Sequence, residues 1–308
     1  MIDFHADTIY RQWHEATDQN LQENSLSVSV RGLEKIGAMA QCLAIYTPPQ
    51  CTWSDMKEIH ERFVKELETC KGHIAQATCT DEIRSNGLSA ILTVEDMKAT
   101  EGDWAKVEEV ISWKPRIVGL VWNVANAYAN PNSGDKAKMA LGLTAQGRQL
   151  VELLSSHGII IDVSHMSDGG FWELVDMGLP IVATHSDARA LVDHPRNLTD
   201  DMIRAIADRG GIVGLNLCPA FLHDYSDARS PEACESRIED MVRHVMHMRA
   251  VGGDEVIALG TDFDGISGAL EIAKVEELPR LLDALSDAGL SSSVIDRFWT
   301  GNALRVLA

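Results

Sequence analysis

Runs of β-branched and aliphatic residues recur along this chain, and between them the apolar positions change from continuous or period-two patterns to the spacing of a helix. Strands are predicted near residues 2–7, 38–46, 88–95, 117–123, 159–165, 180–185, 211–217 and 256–262. The segments between them carry helical stripes: Met56, Ile59, Phe63 and Leu67; Leu143, Leu150, Val151 and Leu154; Ile238, Met241, Val242, Val245 and Met248. Those stripes predict core faces. Thr144 and Thr199 stand where helix N-caps belong, and Gly158 stands just before Ile159-Ile160-Ile161, where a helix must stop for a strand to begin.

Strand followed by helix, repeated about eight times, predicts an α/β fold of the TIM-type (β/α)8 barrel class, with an open doubly wound sheet as its competitor. No G-x-G-x-x-G follows the first strand, which weakens the nucleotide-binding form of that competitor. The 308 residues suit one barrel, which takes about 250 residues or more. The longest irregular stretch, 129–141 with Asn130-Pro131-Asn132-Ser133-Gly134-Asp135, is short enough to be a loop on one scaffold. One domain over residues 1–308 is therefore expected.

Composition narrows the function. With 45% hydrophobic and 24% charged residues the chain reads as globular, and it has no apolar run near the roughly 20 residues a membrane helix needs. The first strand begins at Ile2, leaving no room for a secretory signal ahead of it. The six cysteines (Cys42, Cys51, Cys70, Cys79, Cys218, Cys234) form no C-x-x-C pair. A cytoplasmic protein with reduced thiols is expected. The net charge of −19 repels phosphate backbones and anionic lipid, so neither nucleic acid nor a membrane is expected as a partner.

The candidate chemistry lies at the strand ends. His5 and Asp7 close the first strand, where residues two apart point to one side and can grip one cation together; Asp3 would share that side. Glu95, His165, His185 and Asp262 close four further strands, and in a barrel all these ends open on the same C-terminal rim. Three histidines and three carboxylates suit zinc, manganese, iron or cobalt, and lack the thiolates of a structural zinc site, which points to catalysis. His244 and His247, three apart within a helical stripe, are expected to pack or to face solvent.

Taken in order, Asp3-Phe4-His5-Ala6-Asp7, Glu95, Asp162-Val163-Ser164-His165, Thr184-His185-Ser186, Arg196-Asn197-Leu198, Gly210-Gly211-Ile212-Val213-Gly214 and Gly260-Thr261-Asp262-Phe263-Asp264-Gly265 resemble the motifs of the membrane dipeptidase (renal dipeptidase) family of amidohydrolase-like barrels, including its soluble bacterial members. The resemblance spans nearly the whole chain. It implies a zinc-dependent dipeptidase with two Zn2+ per chain, His5 and Asp7 on one ion, His165 and His185 on the other, and Glu95 bridging them. A metal-bridging hydroxide would attack the peptide carbonyl of a dipeptide. Asp262 would carry its proton to the leaving amine, and Asp264 would hold the loop; spacing alone leaves the two open, because residues two apart on a strand share a face.

The same resemblance implies that Arg196 holds the C-terminal carboxylate of the substrate, and that the protein is a homodimer. The chain departs from the family where relatives carry a substrate-contacting histidine after the fourth strand. Here Trp122 and Asn123 follow, so Asn123 becomes the candidate hydrogen-bond donor to substrate and Trp122 a pocket wall. Cys218, where some relatives place a tyrosine, is a second departure, and His194 beside Arg196 is a further pocket candidate. Two other readings stand beside the dipeptidase. One is a related hydrolase of another amide, N-acyl amino acid or lactone, to which Trp122 points; the other is a metal- and ligand-binding barrel without turnover, against which Asp262 speaks.

Overall fold

The structure, a computed structural model, describes residues 1–15, 19–225 and 234–308. Eight parallel strands form its centre: β1 (Ile2–Asp3), β2 (Ala40–Tyr46), β3 (Ser89–Glu95), β4 (Ile117–Gly119), β5 (Ile160–Asp162), β6 (Ile181–Val182), β7 (Val213–Leu215) and β8 (Ile257–Leu259). Each pairs with its neighbours in sequence from β1 to β6, β7 pairs with β8, and β8 returns to β1. A parallel bridge between Ala183 and Val213 shuts the ring between β6 and β7. The fold is thus the predicted barrel and not an open sheet.

Alternate strand residues serve two cores, which explains why the runs are apolar on both faces. Ala40, Cys42, Ile91, Ile117, Ile160, Val182 and Ala258 collect with Ala303 and Leu307 of the C-terminal helix in the smaller cluster. Leu43, Leu92, Val118, Ile161, Ile181, Val213 and Leu259 pack in the larger one with Met56, Ile59 and Phe63 of the helix Trp53–Thr69, a capping box of Thr52 and Asp55 starting that helix. Arg116, just before β4, donates to the Leu307 carbonyl at 3.0 Å, so the C-terminal helix lies at the N-terminal ends of the strands, away from the rim where the polar residues gather.

The structure corrects several expectations. Except for β2 and β3, which keep Tyr46 and Glu95 in the ladder, the ladders end before the predicted runs do, β6 having two residues, and the C-terminal residues of those runs leave the sheet. A strand Ala75–Gln76, not predicted, pairs with the first two residues of β3, where β4 does not reach. A small pair, Glu235–Ser236 with Ala269–Leu270, stands outside the barrel. Leu143 is buried but precedes its helix, Ala145–Ser156, which Thr144 caps, and the 129–141 stretch contains the short helix Lys136–Met139. His244 is buried, accepting from the Ala188 amide and contacting the Leu222 carbonyl, while His247 pairs with Asp200 at 2.8 Å. Among the described residues no helix is long and apolar enough to cross a membrane.

Candidate metal centre

His5 and Asp7 follow β1, Glu95 is the last residue of β3, and His165, His185 and Asp262 each lie three residues beyond their strands. All six are buried and converge on the C-terminal rim. Their donor atoms form overlapping groups, His5 with Asp7 and Glu95, Glu95 with His165 and His185, and His5 with His185 and Asp262. Glu95 stands between the halves: its Oε2 is 3.2 Å from His5 Nε2, and its Oε1 is 2.8 Å from His165 Nε2 and 3.6 Å from His185 Nε2. Asp7 Oδ1 lies 3.7 Å and Asp262 Oδ1 4.0 Å from His5 Nε2. The rings of His5 and His185 stack at 3.8 Å.

These residues form a donor set that could hold metal ions. His5 Nε2, Asp7 Oδ1 and Glu95 Oε2 are buried, face one another and have no hydrogen-bond partner, a costly arrangement unless something else satisfies them. The space is kept by Gly265, since a Cβ there would fall 2.6 Å from Asp262 Oδ1 and closer still to Asp7 Oδ2. Burial also disfavours negative charge that the cluster would carry. It pushes Glu95 up to about 8, with Asp7 adding to the rise and His5 opposing it. It pushes Asp262 up to about 6, against the pull of His5. Burial holds His165 and His185 well below the usual histidine range, helped by Arg196 and His5. For His5 burial acts downward too, but the Glu95 and Asp7 carboxylates outweigh it and raise the group. The neutral imidazoles of His165 and His185 beside crowded carboxylates form a set of lone pairs short of positive charge.

The outward side of each group is tied down. Thr184 Oγ1 donates to Asp162 Oδ2 at 2.6 Å and lies 2.7 Å from His185 Nδ1, a carboxylate–hydroxyl–imidazole chain that leaves His185 Nε2 for the site. Asp162 Oδ1 also accepts from the Ser164 hydroxyl and from the Thr184 amide. Asn216 donates to Asp262 Oδ2 at 2.9 Å. Asp264 goes elsewhere, accepting from the Thr8 hydroxyl and the Ser27 amide, because positive φ at Asp262 (60°) and Asp264 (68°) breaks the alternation expected of a strand. Asp3 does not join His5 either: its carboxylate accepts from Gln41 and from the amide and hydroxyl of Thr261. The strand stops at Asp3, so the shared side predicted for Asp3, His5 and Asp7 ends there.

Above the cluster opens a cleft of about 520 Å³ lined by Asp7, Glu95, His165 and Asp262 and by Tyr46, Trp122, Asn123, His194, Arg196, Cys218 and Phe221. Arg196 is buried, stacks over Phe221 at 5.2 Å, and donates to the carbonyls of Ser164 and His185. Its Nε has no partner, and among the described residues no carboxylate pairs with it. Asn123 Oδ1 lies 3.2 Å from His165 Nδ1.

Compared with known proteins, residues 1–308 match the family model described as membrane dipeptidase, peptidase family M19. The chain belongs to the membrane dipeptidase family. An uncharacterized protein of Klebsiella pneumoniae from the region 5′ of pqqA is 36% identical over 227 residues, 71% of this chain and 81% of that protein. An uncharacterized dipeptidase of Schizosaccharomyces pombe is 30% identical over 224 residues, 72% of this chain and 53% of its own length, so the chain spans about half of that relative. Among solved structures, a metallo peptidase of Rhodobacter sphaeroides shares the fold with a TM-score of 0.89 at 24% identity, covering 99% of this chain and 97% of that one. Membership in this dipeptidase family supports a metal-dependent peptidase.

For this family member, sequence reading named the side chains that converge but missed several that shape the site. Tyr46, paired in register with Glu95, enters the cleft from the end of β2, and its ring is edge-on to Tyr10 and Trp122. Its signal was an aromatic at a strand end. Asn216 and Gly265 carry no local signal; only the folded distances give them roles.

Proposed function

We propose that the protein is a dipeptidase working with two zinc ions, His5 and Asp7 holding one, His165 and His185 the other, and Glu95 shared between them. The observation that carries this is the trio of buried, partnerless atoms, His5 Nε2, Asp7 Oδ1 and Glu95 Oε2, with the second oxygen of Glu95 turned to the other two histidines. When bound, such an ion pair polarises a carbonyl and brings the pKa of a shared water to about 7. The chain's own groups supply the rest.

Asp262 keeps one oxygen on Asn216 and turns the other toward the cluster, with its acidity weakened to about 6, so it is suited to accept a proton near neutrality and give it to the leaving amine. Arg196 would take the substrate's C-terminal carboxylate. Its free Nε–H and its Nη2, 3.2 Å from His165 Nε2, lie on one edge of the guanidinium, the edge that grips a carboxylate two-handed. Asn123 offers its amide to the substrate from the cleft lining. Residues 1–308 act as one catalytic domain in this reading, since the ligands are drawn from β1 to β6 of a single ring.

The test is zinc content of the purified protein followed by a dipeptide panel with and without a chelator. L-Ala-D-Ala belongs in the panel because the Rhodobacter sphaeroides metallo peptidase was crystallised with a phosphinate mimic of it. Full activity after exhaustive demetallation would sink the proposal. Trp122 at the cleft wall favours one second reading, an altered substrate, and hydrolysis of N-acyl amino acids or lactones in place of dipeptides would establish it.

A further inference from the structure

The two ends of the Asn123 amide face different tasks, and this inference rests on the dinuclear dipeptidase reading. In that reading His165 Nε2, turned to Glu95 Oε1 at 2.8 Å and to His185 Nε2 at 3.0 Å, gives its lone pair to the ion. The ring proton must then sit on Nδ1. Nδ1 lies 3.2 Å from Asn123 Oδ1, so the amide oxygen is the acceptor and the NH2 end points away from the ring. Asn123 is exposed and lines the cleft, and among the described residues nothing accepts from that NH2. Trp122, its ring 6.0 Å from that of His165, forms the wall beside it.

We propose that Asn123 uses its Oδ1 to hold His165 with Nε2 turned to the metal pair and its NH2 to donate to the scissile carbonyl oxygen as charge builds there. It is a positioning residue toward His165 and a catalytic residue toward substrate.

Two variants separate the tasks. Asn123→Asp keeps an acceptor of the same shape and removes the donor; Asn123→Ala removes both. In Asn123→Asp, zinc titration against a competing chelator should still give two ions per chain at no loss of affinity, while kcat falls about 10²-fold with KM within about threefold. In Asn123→Ala the second ion should bind roughly 10- to 100-fold more weakly as well. Imidazole 15N NMR of the zinc-loaded protein should find His165 protonated on Nδ1, with Nε2 on the ion, in the wild type and in Asn123→Asp. The proposal is overturned by wild-type His165 protonated on Nε2, by Asn123→Asp with kcat within about twofold of wild type, or by Asn123→Ala with unchanged zinc affinity. A wild type that binds zinc yet cleaves no dipeptide sinks the dipeptidase reading and the donor role with it; the NMR and titration still decide the hold on His165.

Discussion

Replacing Gly265 with alanine inserts one methyl group between two carboxylates. Its Cβ would fall 2.6 Å from Asp262 Oδ1 and nearer to Asp7 Oδ2, and both side chains are short and buried, with Asp262 tethered to Asn216 by its other oxygen. The backbone itself accepts alanine, because Gly265 is not among the residues of positive φ. The strain therefore falls on the carboxylates. Returning both oxygens to ordinary contact takes a displacement of close to 1 Å, and a misplacement of about 1 Å costs roughly 10²-fold in rate. Overpacking of this kind costs about 1–3 kcal/mol of stability, which leaves the barrel folded. The assay is zinc per chain after dialysis against a chelator, thermal melting, and kcat on the best dipeptide. Expected are a modest fall in Tm, loss of the ion held by His5 and Asp7, and kcat down about 10²-fold. A variant that keeps two zinc ions and a kcat within about twofold of wild type would refute the placement of Asp7 and Asp262 around one reacting centre.

Asp262→Asn should keep both ions and lose about 10²- to 10⁴-fold in kcat; full turnover would remove its role as proton carrier. Arg196→Lys should lower kcat/KM for free dipeptides by about 1.5–3 kcal/mol, roughly 10- to 150-fold, and the wild type should prefer free dipeptides to their amides; equal rates on both count against the carboxylate grip. Thr184→Val breaks the chain from Asp162 to His185 and should weaken the second zinc roughly 10- to 100-fold, with Thr184→Ser restoring it; unchanged affinity in Thr184→Val would dismiss the chain. In the metal-free protein Glu95 is raised from 4.5 to about 8 and Asp262 from 3.8 to about 6, so the folded state binds these protons more tightly than the unfolded chain. Their contribution is whole below the unfolded values and is lost as pH rises through 6 and then 8. His165 and His185, held low, act the other way up to their ordinary 6.5, so melting of metal-free protein should come at lower temperature as pH rises from about 7 to 8, and a flat profile there would contradict it.

The barrel is legible in the sequence because its strands are buried on both faces, so runs such as Ile91-Leu92-Thr93-Val94 are nearly unbroken apolar stretches between helical stripes. Their lengths are not legible, since the last residues of a run can stay in the ladder or bend out of it without changing the pattern. The convergent polar residues can be read because nothing in an apolar strand calls for a histidine or a glutamate at its end. Two places resisted that reading. Asp262 and Asp264 are alike by spacing and are separated only by left-handed backbone, and Asp3 looks aligned with His5 although the extended geometry stops between them. Gly265, Asn216 and the Asn123–His165 contact depend on segments far apart in the chain meeting in space, which no local pattern encodes.

The joint between β6 and β7 is sewn by few stitches: the amides of Ala183, Gly214 and Ser186 reach the carbonyls of Ile212, Ala183 and Gly214. Gly214 and Gly260 leave no room for a side chain against the Thr184 carbonyl, one residue before His185. His5 belongs to the other flank of that joint, two strands further round, yet its ring stacks against that of His185 with an angle of 27° between the planes. No partial sheet can bring the two together. With His5 on one ion, His185 on the other and Glu95 shared, the proposed pair would act together as a clasp on the closed circle, so that losing it loosens the very joint on which the second histidine rides.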